Sequence, residues 1–410
     1  MRVLFVTPEL DWPLRSGGQI RQWNTLQGLL KCGEVDVVAL RSPGRSLSRG
    51  AYASCRRVIV ASRKWILPTK SQRRAYDSSA GRFWLAVTMA RPFEYLGPRN
   101  TGLKAWFAGL VAREAYDVVW IGKPTCAFAL GWRDQDRTIL DGEDYEYVRE
   151  FHLLNHTTWY GAKVVNYLNL AKLYWWERRL PRWYARVIRC SPQDRDRIPA
   201  KNVVVIRNGT QLPAATWQRA PEQRVLFVGA LGYAPNVMGV EWFVSKVWPA
   251  IRRELPAAAL DIAGGDPSPA LRDQNGRNGV HVLGFVTDLG PLWRRAAVSV
   301  VPLLAGAGTR LKIPESLAYE VPVVTTSIGA FGLELGAGEG VWQVDDPLQF
   351  AARCCELLRV PHEGWLAARR GKEVVATLYN WQLIQRQVGD LAREVAGLNK
   401  QQPGRADQDR

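Results

Sequence analysis

The chain has 410 residues, 47% of them apolar and 23% charged, the make-up of a globular protein of two to three domains at ~150 residues each. That composition excludes a disordered chain, a collagen repeat and a disulfide-stapled miniprotein. The 55 Lys plus Arg exceed the 38 Asp plus Glu by 17, which points to an anionic partner: nucleic acid, a membrane surface or a phosphorylated ligand. The excess is uneven. Residues 1–210 hold 34 basic and 18 acidic side chains, against 21 and 20 in residues 211–410. Between 41 and 91 stand Arg41, Arg45, Arg49, Arg56, Arg57, Arg63, Lys64, Lys70, Arg73, Arg74, Arg82 and Arg91, opposed only by Asp77. A solvated basic face is the plain reading of such a run.

Cys32, Cys55, Cys126, Cys190, Cys354 and Cys355 lack C-x-x-C spacing, so the single H-x₃-H pair, His152 and His156, has no cysteine pair to complete it, and neither a zinc site nor a disulfide framework is indicated. The opening apolar run is too short for a signal peptide, and no uncharged stretch approaches the ~18 residues that span a bilayer. A cytoplasmic location is therefore expected.

In chain order, residues 3–7 read as a buried strand, followed by a loop with Ser16, Gly17 and Gly18 and a helix over 20–31. Strands follow at 36–40, 57–61, 118–121, 138–141, 187–190 and 203–207. After a turn-rich stretch at 208–221, the alternation restarts with a strand at 224–229. It continues through a helix at 237–255, strands at 259–263 and 280–283, a helix at 289–296, a strand at 298–302, a helix at 312–318 and a strand at 321–325. Such alternation predicts an α/β protein with parallel sheets covered by helices on both faces. The expected division is a domain over 1–210, a second over 211–395 with its last helix packing back on the first, and a disordered tail over 396–410.

Ligands of open parallel sheets bind beyond the carboxyl ends of the strands. The loop that best fits runs through Gly306, Ala307, Gly308, Thr309 and Arg310 to Lys312 and Glu315. Small residues let backbone N–H groups approach an anion, Arg310 and Lys312 add two positive charges, and Glu315 can accept hydrogen bonds from two ribose hydroxyls. The set describes a nucleoside diphosphate. A Gly-x-Gly loop is a weak signal by itself, and Lys312 with Glu315 also reads as an i, i+3 surface pair.

With its continuation through Glu320, Pro322, Thr325, Gly329 and Gly332, this segment resembles the donor-binding segment of family 4 of the nucleotide-sugar glycosyltransferases, the glycosyl transferases group 1. Those enzymes have the GT-B fold of two facing Rossmann-like domains. Residues 224–236, with Gly229 and Asn236, resemble the family's opening strand and loop of the donor domain. Residues 260–265 and 280–288, with Phe285 and Val286, resemble its next strands. Residues 203–209 are similar to its hinge, with Arg207 where proline is usual. Gly17, Gly18 and Arg21 match the glycine loop of the first domain and the basic residue behind it, and Tyr379-Asn380-Trp381 resembles the motif opening the last helix. Residues 41–110 do not align.

The sequence departs from the family twice. Ala307 stands where many members have an acid contacting the donor sugar, and the loop over 230–236 lacks the usual Arg and Lys. Charge neutralisation then falls to Arg310 and Lys312, and sugar contacts to the backbone amides of 306–309. The resemblance implies a nucleotide-sugar donor, a glycan or lipid-linked acceptor, retention of anomeric configuration and deprotonation of the acceptor assisted by the donor phosphate. Neither cofactor nor metal is expected, because fixed cations can stabilise the departing diphosphate.

Asp141, Glu143, Asp144 and Glu146 crowd the end of a predicted strand. Asp141 and Arg21 are assigned to the acceptor side, and Glu143 and Asp144 to catalysis, with Asp144 as the proton acceptor; a cluster of acids favouring a helix start accounts for them equally. His152 and His156 are i, i+4 but lack a third ligand. From Trp159 to Arg189 aromatic and basic residues interleave, as at a membrane interface or on the core face of a long helix. Peripheral attachment to an anionic membrane through 41–91 and 159–189 is expected from the first alternative. The competing functions are a nucleotide-sugar 2-epimerase, a donor-binding protein without activity and a nucleic-acid binder; the last lacks any recognition signature, and no nucleic acid is expected as a partner.

Overall fold

The computed structural model describes residues 1–9, 12, 14, 16–40, 50, 52–61, 78–92, 101–155, 160–213 and 222–401. Of the singled-out residues, Arg41, Arg45, Arg49, Arg63, Lys64, Lys70, Arg73, Arg74, Asp77, His156 and Trp159 lie outside these. The chain divides into two compact units, Met1–Ile206 with Ile384–Arg410, and Arg207–Leu383.

The first unit is built on a parallel sheet of β1 (Arg2–Thr7), β2 (Glu34–Ala39), β3 (Arg57–Val60), β4 (Val118–Ile121), β5 (Asp134–Asp141), β6 (Tyr184–Arg189) and β7 (Val203–Val205), in the order β3-β2-β1-β4-β5-β6-β7. The second carries β8 (Arg224–Val228), β9 (Ala259–Ala263), β10 (Val280–Gly284), β11 (Val298–Val301), β12 (Val323–Thr325) and β13 (Val341–Gln343), in the order β10-β9-β8-β11-β12-β13. Continuous apolar runs produce this arrangement. Val3, Leu4, Phe5 and Val6 are all buried, as are Val118 to Ile121, because helices cover both faces of the sheet. Each such side chain contributes about 1.5–3 kcal/mol relative to exposure. In each sheet the chain reverses its direction of progress beside the first strand, between β1 and β4 and between β8 and β11. Ligand crevices open at such switch points.

Where local structure differs from the sequence reading, a backbone group explains it. The strand expected from 321 begins at Val323, because Pro322 has no N–H and the Val321 N–H donates to the Ser316 carbonyl at the end of the preceding helix. The helix expected over 237–255 starts at Ala234 and widens into a π turn at Phe243–Val247, just before Pro249 removes a donor. β13 was not anticipated: three residues, Val-Trp-Gln, carry too little pattern. The last helix, Trp381–Gln401, runs five residues or more into the segment expected as tail, because Ile384, Val388, Leu391, Val395 and Ala396 continue a buried stripe. Its Gln385 donates to Asn24 at 2.8 Å, within the first unit.

Both sheets bury an aspartate in their second strand. Asp36 in β2 accepts from Arg56, Arg57 and Tyr116, and Asp261 in β9 accepts from Arg224 at 3.0 Å and Arg295 at 2.8 Å. Arg56 and Arg57, counted in the basic run, are therefore engaged with Asp36 and Glu114. The Arg side chains reach water while the carboxylates do not, so loss of the carboxylate costs less than breaking a fully buried pair. Asp261→Ala is expected to lower unfolding free energy by about 1–3 kcal/mol, read as a shift in the denaturant midpoint.

Candidate functional site

In the second unit the expected donor residues gather at the open end of β8 and β11. Lys312 opens the helix Lys312–Ala318 and points its ammonium back to the first loop, where it donates to Asn236 Oδ1 at 2.8 Å and lies 4.8 Å from the centre of the Phe227 ring. Asn236 is held in turn by its Nδ2 donating to the Ala230 carbonyl at 2.8 Å. A Cβ on Gly229 would stand 2.8 Å from Lys312 Nζ, so a side chain there would displace the ammonium. Gly306 has φ 133°, outside the range of L side chains, and a Cβ there would meet Arg310 Nη2 at 2.8 Å. Arg310 is 9% exposed and donates to the Ala307 carbonyl, so its guanidinium braces the loop it was expected to charge. Gly308 also has positive φ, and Thr309 accepts from Asn208 at 3.0 Å. Phe285 stands half exposed against Gly265 at the end of β9, while Val286 packs on the cluster of Leu226 and Trp293.

The electrostatics of this loop are unusual. Burial pushes the Lys312 ammonium down to about 7, with Arg310 adding to the effect and Glu315 opposing it. Burial pushes Glu315 up to about 7, with Lys312 opposing. Two basic groups and one carboxyl are thus held together in a poorly solvated place, where each displaces the other's titration.

In the first unit, Arg21 and Asp141 form a buried bidentate pair, Nε to Oδ2 at 2.9 Å and Nη2 to Oδ1 at 2.8 Å, and Arg21 Nη1 also donates to the Ile206 carbonyl. Burial pulls Asp141 above the usual carboxylate range against the opposing pull of Arg21. Assigned to the acceptor side from the sequence, these two side chains are 3% and 1% exposed and satisfy one another. They tie the helix after β1, the end of β5 and the Ile206 carbonyl together. Glu143 is at φ 44°, accepts from Gln22 Nε2 at 3.2 Å and lies 3.7 Å from Lys123. Its carboxylate keeps the Lys123 ammonium above its ordinary range. Glu143, Asp144, Glu146 and Lys123 line a small recess of about 40 Å³. Beside it is a larger cavity of about 260 Å³, with Thr7, Glu9, Gln19, Trp23, Lys123 and Glu146 in its wall. Gly18 belongs to this wall, and a Cβ on it would stand 3.3 Å from Lys123 Nζ; Gly17 begins the helix capped by Ser16.

Lys123, Gln22 and Trp23 were missed in the sequence. Lys123 directly follows Gly122 at the end of β4, and that strand end at a switch point was the available signal. Also missed was the support of the carboxylate loop. Glu177, at the end of the helix Tyr160–Glu177, accepts from the backbone N–H of Glu146 at 2.9 Å and of Tyr147 at 3.2 Å. Arg189 donates to the carbonyls of Gly142 and Asp144 and lies 3.6 Å from the Tyr145 ring. Burial pushes Glu177 up to about 8. Among the described residues no three His, Cys, Asp or Glu lie together as metal ligands.

Residues 222–360, which hold most of the donor loop's surroundings, match the family model of glycosyl transferases group 1. Over 136 residues the chain is 31% identical to an uncharacterised 44.6 kDa protein in the cps region of Klebsiella pneumoniae, a stretch that is 31% of this chain and 35% of that one. The chain thus spans about a third of that relative. Whole-chain likeness comes from solved GT-B glycosyltransferases. A sucrose-phosphate synthase from Thermosynechococcus elongatus superposes with TM-score 0.66 at 16% identity, covering 97% of this chain and 99% of that one. HepE from Anabaena, solved with UDP and glucose, gives 0.63 at 15% over 96% and 99%. WaaG, a glycosyltransferase involved in lipopolysaccharide biosynthesis, gives 0.60 at 11% over 95% and 99%. The fold is GT-B, and residues 222–360 in its second unit match glycosyl transferases group 1.

The two shifts in the donor loop predict a stability profile with a sign on each side of neutrality. Between 4.5 and about 7 the folded chain holds a proton on Glu315 that the unfolded chain has released, so stability falls as pH rises. Between about 7 and 10.5 the unfolded chain holds the Lys312 proton that the folded chain has lost, so stability rises with pH. Denaturant titrations across pH are expected to show Glu315→Gln flattening the first limb and Lys312→Met the second.

Proposed function

We propose that this protein is a glycosyltransferase that moves a sugar from a nucleotide-sugar donor to a hydroxyl of a glycan or lipid-linked acceptor. The observation that carries this reading is the loop 306–315 at the open end of β11, where Arg310, Lys312 and Glu315 lie within the segment matching glycosyl transferases group 1. Breaking the anomeric C–O bond leaves a nucleoside diphosphate, so the chief task is to stabilise that charge with groups already in position. Lys312, steered by Asn236, and Arg310, in reach once it leaves the Ala307 carbonyl, supply two cations; Glu315 accepts from the ribose hydroxyls. The sugar rests against the amides of 306–309, beside Ala307.

The acceptor is taken by the cavity of the first unit and the recess beside it, with Glu143 and Asp144 in the wall of the recess and the Arg21–Asp141 pair positioning them. Transfer proceeds with retention, the acceptor proton passing to the departing phosphate, and without a metal, since Arg310 and Lys312 carry the neutralising charge. The relative in a cps region and the likeness to WaaG favour a place in cell-surface polysaccharide or glycoconjugate assembly.

The test is release of nucleoside diphosphate from a panel of nucleotide sugars in the presence of membrane extract, with UDP-sugars first. Arg310→Ala and Lys312→Met are each expected to lower kcat by about 10²–10³-fold. Release from no donor, or isomerisation of the sugar without transfer, overturns the reading. Calorimetry offers a second check. A diphosphate raises the Lys312 pKa from about 7, so UDP binding above neutrality takes up a proton, and Lys312→Met abolishes the uptake.

A further inference from the structure

The first unit carries an apolar surface that its own core does not use. In the helix Tyr160–Glu177, Val165, Asn169, Leu173 and Trp176 face inward, while Val164, Tyr167, Leu168, Tyr174 and Trp175 are exposed. Their spacing of three, four and seven residues draws a second apolar stripe along the outside of the same helix. The helix Ser79–Thr88 packs against it, with Lys172 donating to the Ala86 carbonyl and Trp176 Nε1 donating to the Ala90 carbonyl at 2.9 Å. This helix repeats the arrangement: Leu85 and Ala86 are buried, whereas Phe83, Trp84 and Val87 are exposed, Trp84 at 61%.

Charge decides what such a surface meets. Arg82 lies beside Phe83 and Trp84, and the Arg179 guanidinium stacks 3.4 Å from the Trp175 ring. Arg178 donates to Tyr174 Oη at 2.8 Å, and Lys163 stands at the other end of the stripe. The only carboxylate in either helix is Glu177, which is buried and turned to the backbone of Glu146 and Tyr147. A second copy of this face would bring cation against cation. We propose that these two helices form an interfacial docking surface for an anionic lipid bilayer, with Trp84 and Trp175 at headgroup depth and Arg82, Arg178 and Arg179 on lipid phosphates. Aromatic rings and cations without acids on lying helices are what that boundary favours. No helix among the described residues is long and apolar enough to cross a membrane, so the contact is a lying one.

Co-sedimentation of the full chain with phosphatidylglycerol-containing vesicles tests this, with pure phosphatidylcholine vesicles as the second arm. Binding to the anionic vesicles is expected, weakened by salt. The pair Trp84→Glu and Trp175→Glu should lower it at least about tenfold, and Arg178→Glu with Arg179→Glu about thirtyfold or more, the effect of losing two cations. The substituted positions are exposed, and unchanged melting temperature and UDP binding in the same variants separate a lost surface from a lost fold. Vesicle binding is read without turnover, so it stands or falls apart from the glycosyltransferase reading. No binding, equal binding to both vesicle types, or self-association that the Trp→Glu pair abolishes overturns the proposal.

Discussion

The Arg21–Asp141 pair is the interaction on which the first unit's site depends. Asp141 ends a central strand, Arg21 belongs to the helix after β1, and the same guanidinium reaches the Ile206 carbonyl beyond β7. Three chain segments far apart in sequence are fixed by one planar fork, a geometry that an ammonium cannot reproduce. Loss of either partner leaves a charge with no water around it, and a buried pair broken in this way is among the costliest single changes in a protein. The loop over 142–146, the recess it lines and Gln22 with its bonds to Gly122 and Glu143 all stand on this fixed base.

The two units solve a common problem in parallel. Each has the same order of its first four strands, each gathers its candidate site residues where that order reverses, and each buries one aspartate in its second strand beneath two arginines. The difference lies at the crevices. That of the second unit holds a few cations drawn tightly against apolar neighbours, whereas that of the first mixes Lys123 with several carboxylates. The proposed function assigns a phosphate-bearing donor to the one and a polyhydroxylated acceptor to the other.

Much of this fold was legible in the sequence because parallel strands buried on both faces write themselves as short unbroken apolar runs. β4 and β9 begin and end where the pattern says, as does the helix Lys312–Ala318. The loop over 306–315 was legible as a strand end running into a helix, and its resemblance to a family's donor segment singled it out. What escaped was long-range and backbone-mediated. That Arg21 and Asp141 consume one another cannot be seen 120 residues apart. The role of Glu177 depends on two peptide N–H groups, which have no letter in a sequence. The aromatic residues of 159–189 were left between core and interface, and the structure divides them: Trp176 and Trp183 serve the core cluster, while Tyr167 and Trp175 do not.

Glu177 joins two regions otherwise discussed apart. It is the last residue of the helix whose outer side bears Tyr174 and Trp175, and its carboxylate grips the amides that begin the helix Glu146–Asn155. The carboxylate loop is therefore suspended from the end of a surface rod. Arg189 clasps its other flank from the sheet through the carbonyls of Gly142 and Asp144, which leaves Tyr145 alone between the two grips. In mechanical terms the outer helix is a bracket and the acid loop the span it carries.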